Sequence, residues 1–76
     1  MTNSNNIFYE TVKGLLKSNN LKKAISQLES FLEQNSDDEI ALSLYGTALL
    51  RNGDTGQALD VFKRVAKIYP GLSRSH

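Results

Sequence analysis

The sequence predicts an all-α fold: two antiparallel helical hairpins stacked in series. Three observations predict it. Apolar residues come in four bursts at helical spacing, polar breaks of two to four residues separate the bursts, and residue classes recur with an offset of 34. Links that short force neighbouring helices to fold back against each other.

The first burst sets Phe8, Val12, Leu15 and Leu16 at i, i+4, i+7 and i+8, which places all four on one helical face. It ends at Ser18-Asn19-Asn20. The second carries Leu21, Ala24, Ile25, Leu28, Phe31 and Leu32 and runs out in Gln34-Asn35-Ser36. Ser36 with Glu39 three residues later forms a capping-box pattern, and Asp37 and Asp38 place negative charge at the positive end of a helix. A third helix is therefore expected from near residue 37. It carries Ala41, Leu42, Tyr45, Ala48 and Leu49 and stops at Asn52-Gly53-Asp54, where the glycine can take positive φ. The fourth carries Ala58, Leu59, Phe62, Val65, Ala66 and Ile68, and Tyr69-Pro70-Gly71 ends it.

At 76 residues the chain has room for one core. With 39% apolar residues, and roughly 1.5 kcal/mol of conformational entropy lost per ordered residue, burial leaves little surplus. The lack of cysteine removes disulfides, thiolate metal sites and cysteine nucleophiles together. The opening Met1-Thr2-Asn3-Ser4-Asn5-Asn6 has no basic residue and leads into no long apolar run, so neither a secretory signal nor a membrane span is expected and the cytoplasm is the default location. A net charge of +1 exerts no general pull on nucleic acid or membrane.

The candidates for chemistry each have a simpler account. Asp37-Asp38-Glu39 is explained by a helix start, without a metal. His76, the only histidine, is at the end of the sequence with no visible partner. Gly53-Asp54-Thr55-Gly56 and the run 71–75 lack the strand-to-helix setting and the lysine of a phosphate loop. Lys22, Lys23, Lys63, Arg64 and Lys67 make the outer faces of the second helices basic, but no aromatic residues are interleaved to stack on bases. No catalytic residue, metal site or cofactor is assigned, and the chain is not expected to be an enzyme.

The 34-residue offset pairs Ala24 with Ala58, Phe8 with Leu42, Leu15 with Leu49, Leu28 with Phe62, Phe31 with Val65 and Ser36 with Pro70. In the second unit, Leu42, Tyr45-Gly46, Gly53-Asp54, Ala58, Phe62 and Pro70 fall in the places of the tetratricopeptide repeat pattern. The chain resembles that family. Gly46 and Ala58 are expected to let one helix approach the other, with Phe62 filling the space between hairpins. The first unit is degenerate, with Thr11-Val12 in place of the usual Leu-Gly, Phe31 in place of alanine and Ser36 in place of proline. The resemblance implies a short right-handed α-solenoid over residues 1–76, with repeats at about 5–38 and 39–72 and a tail at 73–76.

The resemblance also implies a function, that of a protein-interaction module. Partners of the family usually lie in the groove lined by the first helix of each hairpin. Here that groove would present Tyr9, Lys13, Leu16 and Lys17, flanked by Asn6, and Ser43, Thr47, Leu50 and Arg51, flanked by Ile40. Lys13, Lys17 and Arg51 suit an acidic peptide or protein segment, although surface cations are commonly just solvated. The clamp used by the chaperone-tail-binding subgroup is not matched, because its places hold Tyr9, Lys13 and Leu44. The alternative reading is a self-associating or docking module: two repeats leave an end uncapped, and Ile68 and Tyr69 there would serve a homodimer, or the chain would be the amino-terminal regulatory part of a larger repeat protein or enzyme.

Overall fold

The computed structural model describes residues 4–69. Pro70, the run 71–75 and His76 lie outside the described residues, so the helix stop assigned to Pro70 and the tail assigned to 73–76 do too. Four helices of 14 residues each occupy the described chain: α1 Ser4–Lys17, α2 Leu21–Gln34, α3 Glu39–Asn52 and α4 Thr55–Ile68. No strand occurs among the described residues.

Both hairpins turn in the same way. Asn19 has φ 65 and Gly53 has φ 94, and these are the left-handed residues that stop α1 and α3. In the first turn the Asn20 N–H donates to the Leu15 carbonyl at 2.8 Å and the Asn19 N–H to that of Leu16 at 3.1 Å. In the second, Asp54 donates to Leu49 at 2.8 Å and Gly53 to Leu50 at 3.2 Å. The paired bonds satisfy the last carbonyls of each helix and throw the chain back on itself.

The link from α2 to α3 differs from the expectation. Asp38, not Ser36, caps α3: its Oδ1 accepts from the Ala41 N–H at 2.9 Å, and the helix begins at Glu39. Its other oxygen, Oδ2, accepts from the Tyr9 hydroxyl at 2.7 Å. One carboxylate thus caps α3 and holds α1, which a serine hydroxyl two residues earlier does not do. Asp37 is held as well, its carbonyl accepting from the Tyr69 hydroxyl.

Helix α3 packs against the other three helices. Toward the first hairpin, Ala41 and Ala48 enter a cluster with Val12, Leu16, Ala24 and Leu28. Toward α4, Leu42 and Leu49 pack with Ala58, Val61 and Val65. Helices α3 and α4 run closer together than α1 and α2, and the side chains account for it. A Cβ on Gly46 would lie 2.6 Å from Cε1 of Phe62, so the bare backbone at 46 is the seat of that ring. The first hairpin has Val12 at the matching position, and between its helices Phe8 and Phe31 stack at 4.3 Å and 12°. Phe62 therefore fills space inside the second hairpin, not between hairpins as the residue pattern suggested, and 37% of it remains exposed.

Candidate partner-binding face

Helices α1 and α3 contact each other and share a face. Lys13 and Lys17 stand one turn apart on α1 and are exposed, and on α3 the set is Ser43, Thr47, Leu50 and Arg51. Ser43 and Thr47 are half-buried, with the Thr47 hydroxyl donating to the Ser43 carbonyl at 2.9 Å, a bond internal to the helix. Leu50 is 50% exposed and Ile40 is also exposed, so this face of α3 carries apolar contact surface at both ends.

Tyr9 and Leu16 do not line this face. Both belong to the core cluster: the Tyr9 ring leans edge-on toward Phe8 and Phe31 while its hydroxyl reaches Asp38, and Leu16 is enclosed with Val12, Leu28 and Ala48. They share a helical stripe with the two lysines, but they sit on the side that faces the hairpin interior.

The cations are concentrated at one end. Arg51 places Nη1 3.5 Å from the Leu16 carbonyl, which brings its guanidinium beside the last turn of α1, where Lys17 lies. Lys13 is 3.8 Å from the Glu10 carboxylate in an exposed i,i+3 pair of small energetic weight. That is the only ion pair among the described residues, so Lys17 and Arg51 have no carboxylate partner there. Both also complement the negative ends of their helices, which stabilises the fold with or without a ligand.

Concave space lies elsewhere. A depression of about 430 Å³ is lined by Phe8, Ser26, Gln27, Ser30 and Phe31, and one of about 440 Å³ by residues 19–23 and Asn52. A third, of about 210 Å³, lies where Glu29, Glu33, Tyr45 and Arg64 meet. There the Tyr45 hydroxyl donates to Glu29 Oε2 at 3.1 Å and ties α3 to α2. None of these three is lined by Lys13, Lys17 or Arg51.

At the far end, Ile68 and Tyr69 are half-buried against Leu42, Leu49 and Val65, and the Tyr69 hydroxyl is engaged by Asp37. They are folded onto their own chain. The exposed apolar residues of α4 are Leu59, at 55%, and Phe62. The apolar stripe placed Leu59 with the core; the signal for its exposure is its 34-residue counterpart, Ile25, which packs against the helix that follows it.

No group of three or more His, Cys, Asp or Glu able to hold a metal occurs among the described residues, and no described helix is long and apolar enough to cross a membrane. A family model described as the tetratricopeptide repeat matches residues 9–73. No curated protein and no solved structure matches the chain.

Proposed function

This chain belongs to the tetratricopeptide repeat family, and on that premise we propose that it is a non-catalytic module that holds an acidic peptide or protein segment along the α1–α3 face. Repeats of this family mediate protein–protein interaction. The proposal takes about 5–38 and 39–72 as the two repeats.

The observation that carries the acidic preference is the meeting of Arg51 with the last turn of α1, which groups it with Lys17 where no described carboxylate neutralises either. Exposed Leu50 stands one residue from Arg51, and Lys13 extends the charge one turn back along α1. A segment that alternates acidic and apolar side chains matches that order, with Arg51 supplying a planar fork for a carboxylate.

Fluorescence anisotropy with a labelled peptide alternating glutamate and leucine, and its lysine–leucine counterpart as control, tests this. Saturable binding of the acidic peptide alone, weakened by salt, is expected. The pair of substitutions Lys13→Glu and Arg51→Glu should lower affinity by about tenfold or more. Unchanged affinity in that variant, or equal binding of both peptides, rejects the face.

A further inference from the structure

Helix α3 docks on the first hairpin through a defined pair of surfaces, and each of those surfaces has a 34-residue counterpart left bare. On the docking side, α3 buries Ala41 and Ala48 completely. Their counterparts on α1 are Ile7, 69% exposed, and Gly14, which has nothing within 4 Å of where a Cβ would stand. On the receiving side, Leu16, Ile25 and Leu28 are buried or half-buried, and their counterparts Leu50, Leu59 and Phe62 are the exposed apolar residues of the second hairpin's far face.

The chain therefore carries both halves of one interface, and no described element covers either half. We propose that a second copy of this chain stacks head to tail on the first: α1 of one copy lies against the Leu50, Leu59 and Phe62 face of its partner, continuing the packing of α3 on the first hairpin. The occupant is specified by the match between the two bare surfaces. A glycine inside an exposed helix costs about 1 kcal/mol relative to alanine, and no described residue comes close enough to require one at position 14. In the stack, Gly14 takes the place of Ala48, which is fully buried in the cluster that α3 forms with the first hairpin. Lys17 likewise takes the place of Arg51, whose guanidinium lies over the Leu16 carbonyl, and so reaches toward the partner's Leu50 carbonyl.

An interface of this kind joins two different patches, so it does not close at a dimer and grows with concentration. It shares Leu50 and Lys17 with the α1–α3 face proposed for peptide binding, whereas Ile7, Gly14 and Leu59 lie outside that face, so substitutions at these three report on stacking alone.

Sedimentation equilibrium over a wide concentration range tests the stacking on the intact chain and two variants, Ile7→Glu and Leu59→Glu, each at an exposed site, with helicity checked by circular dichroism. The intact chain should gain mass beyond a dimer as concentration rises. Each variant alone should stay monomeric, because each retains only one competent surface. Mixed together they should form a 1:1 heterodimer and grow no further, since Ile7→Glu supplies the receiving face and Leu59→Glu the docking face. Gly14→Leu, which open space allows in the monomer, should behave like Ile7→Glu. An intact chain that stays monomeric overturns the proposal and leaves the face to a helix of another protein. Dimerisation of Ile7→Glu alone also overturns it, by pointing to two like faces meeting, and so does a mixture that remains monomeric.

Discussion

Leu28 and Phe62 hold the same place in their hairpins, 34 residues apart, yet Leu28 is fully buried and more than a third of Phe62 is exposed. The same contrast divides Leu16 from Leu50 and Ile25 from Leu59. What a repeat position contributes is therefore set by its place in the stack as much as by its side chain: the first hairpin is covered by α3, and no described element covers the second. The hairpins differ inside as well. Gly46 and Ala58 bring α3 and α4 close, whereas Val12 and the stacked Phe8 and Phe31 keep α1 and α2 further apart.

The largest effect expected is at the covered member of the pair. Leu28→Ala should cost about 2–5 kcal/mol in urea unfolding followed by circular dichroism, and Phe62→Ala about 1–2 kcal/mol, since part of that ring is already in water. Equal losses would break the contrast. Gly46→Val, which gives the second hairpin the residue of the first, drives a Cβ into the Phe62 ring and should cost about 1–3 kcal/mol, with Phe62→Leu recovering part of the loss. At the link between hairpins, Asp38→Ala should cost about 1–2 kcal/mol and Tyr9→Phe about 0.5–1.5 kcal/mol. Their double variant should lose less than the sum, because both remove one shared bond. A smaller change is expected at the turns: Asn19→Gly should stabilise by up to about 1 kcal/mol, and Gly53→Asn should destabilise by a similar amount.

The contrast also has a pH signature. Burial holds the Tyr45 hydroxyl above its ordinary pKa of 10.0, helped by its bond to the Glu29 carboxylate and by the negative charges of Glu29 and Asp54. The folded state thus prefers the neutral phenol. The stability this contributes is complete below pH 10 and falls as pH rises through the elevated value, as the unfolded chain ionises more readily. Tyr45→Phe should remove that part of the alkaline loss while leaving the profile near neutrality almost flat. An unchanged alkaline limb would show that the α2–α3 contact is not sensed there.

Helix number, order and length were legible because the punctuation is explicit: Asn19-Asn20 and Gly53-Asp54 stop helices whatever packs around them. The start of α3 was less so. Ser36, Asp37 and Asp38 are all competent caps, and the choice among them is made by Tyr9, 29 residues away. On the candidate face, spacing sets Tyr9 and Leu16 on one stripe with Lys13 and Lys17, although Tyr9 and Leu16 are buried in the core. That stripe is wide enough to reach from solvent into the core, and only the position of α3 decides where its edge falls. Leu59 and Phe62 show the opposite limit, since their apolar character marks them for burial without saying whether the covering helix belongs to the same molecule.

The linker at 35–38 gathers hydroxyls from tyrosines near both limits of the described chain, Tyr9 to the Asp38 carboxylate and Tyr69 to the Asp37 carbonyl. Repeat stacks otherwise fold through neighbours close in sequence, and these two bonds span 29 and 32 residues. They make the linker a common clasp, so fraying that starts at either extremity is felt at the same four residues. Amide exchange at Ala41 and Leu42, the first protected positions beyond the clasp, becomes a single reporter for the loosening of both ends.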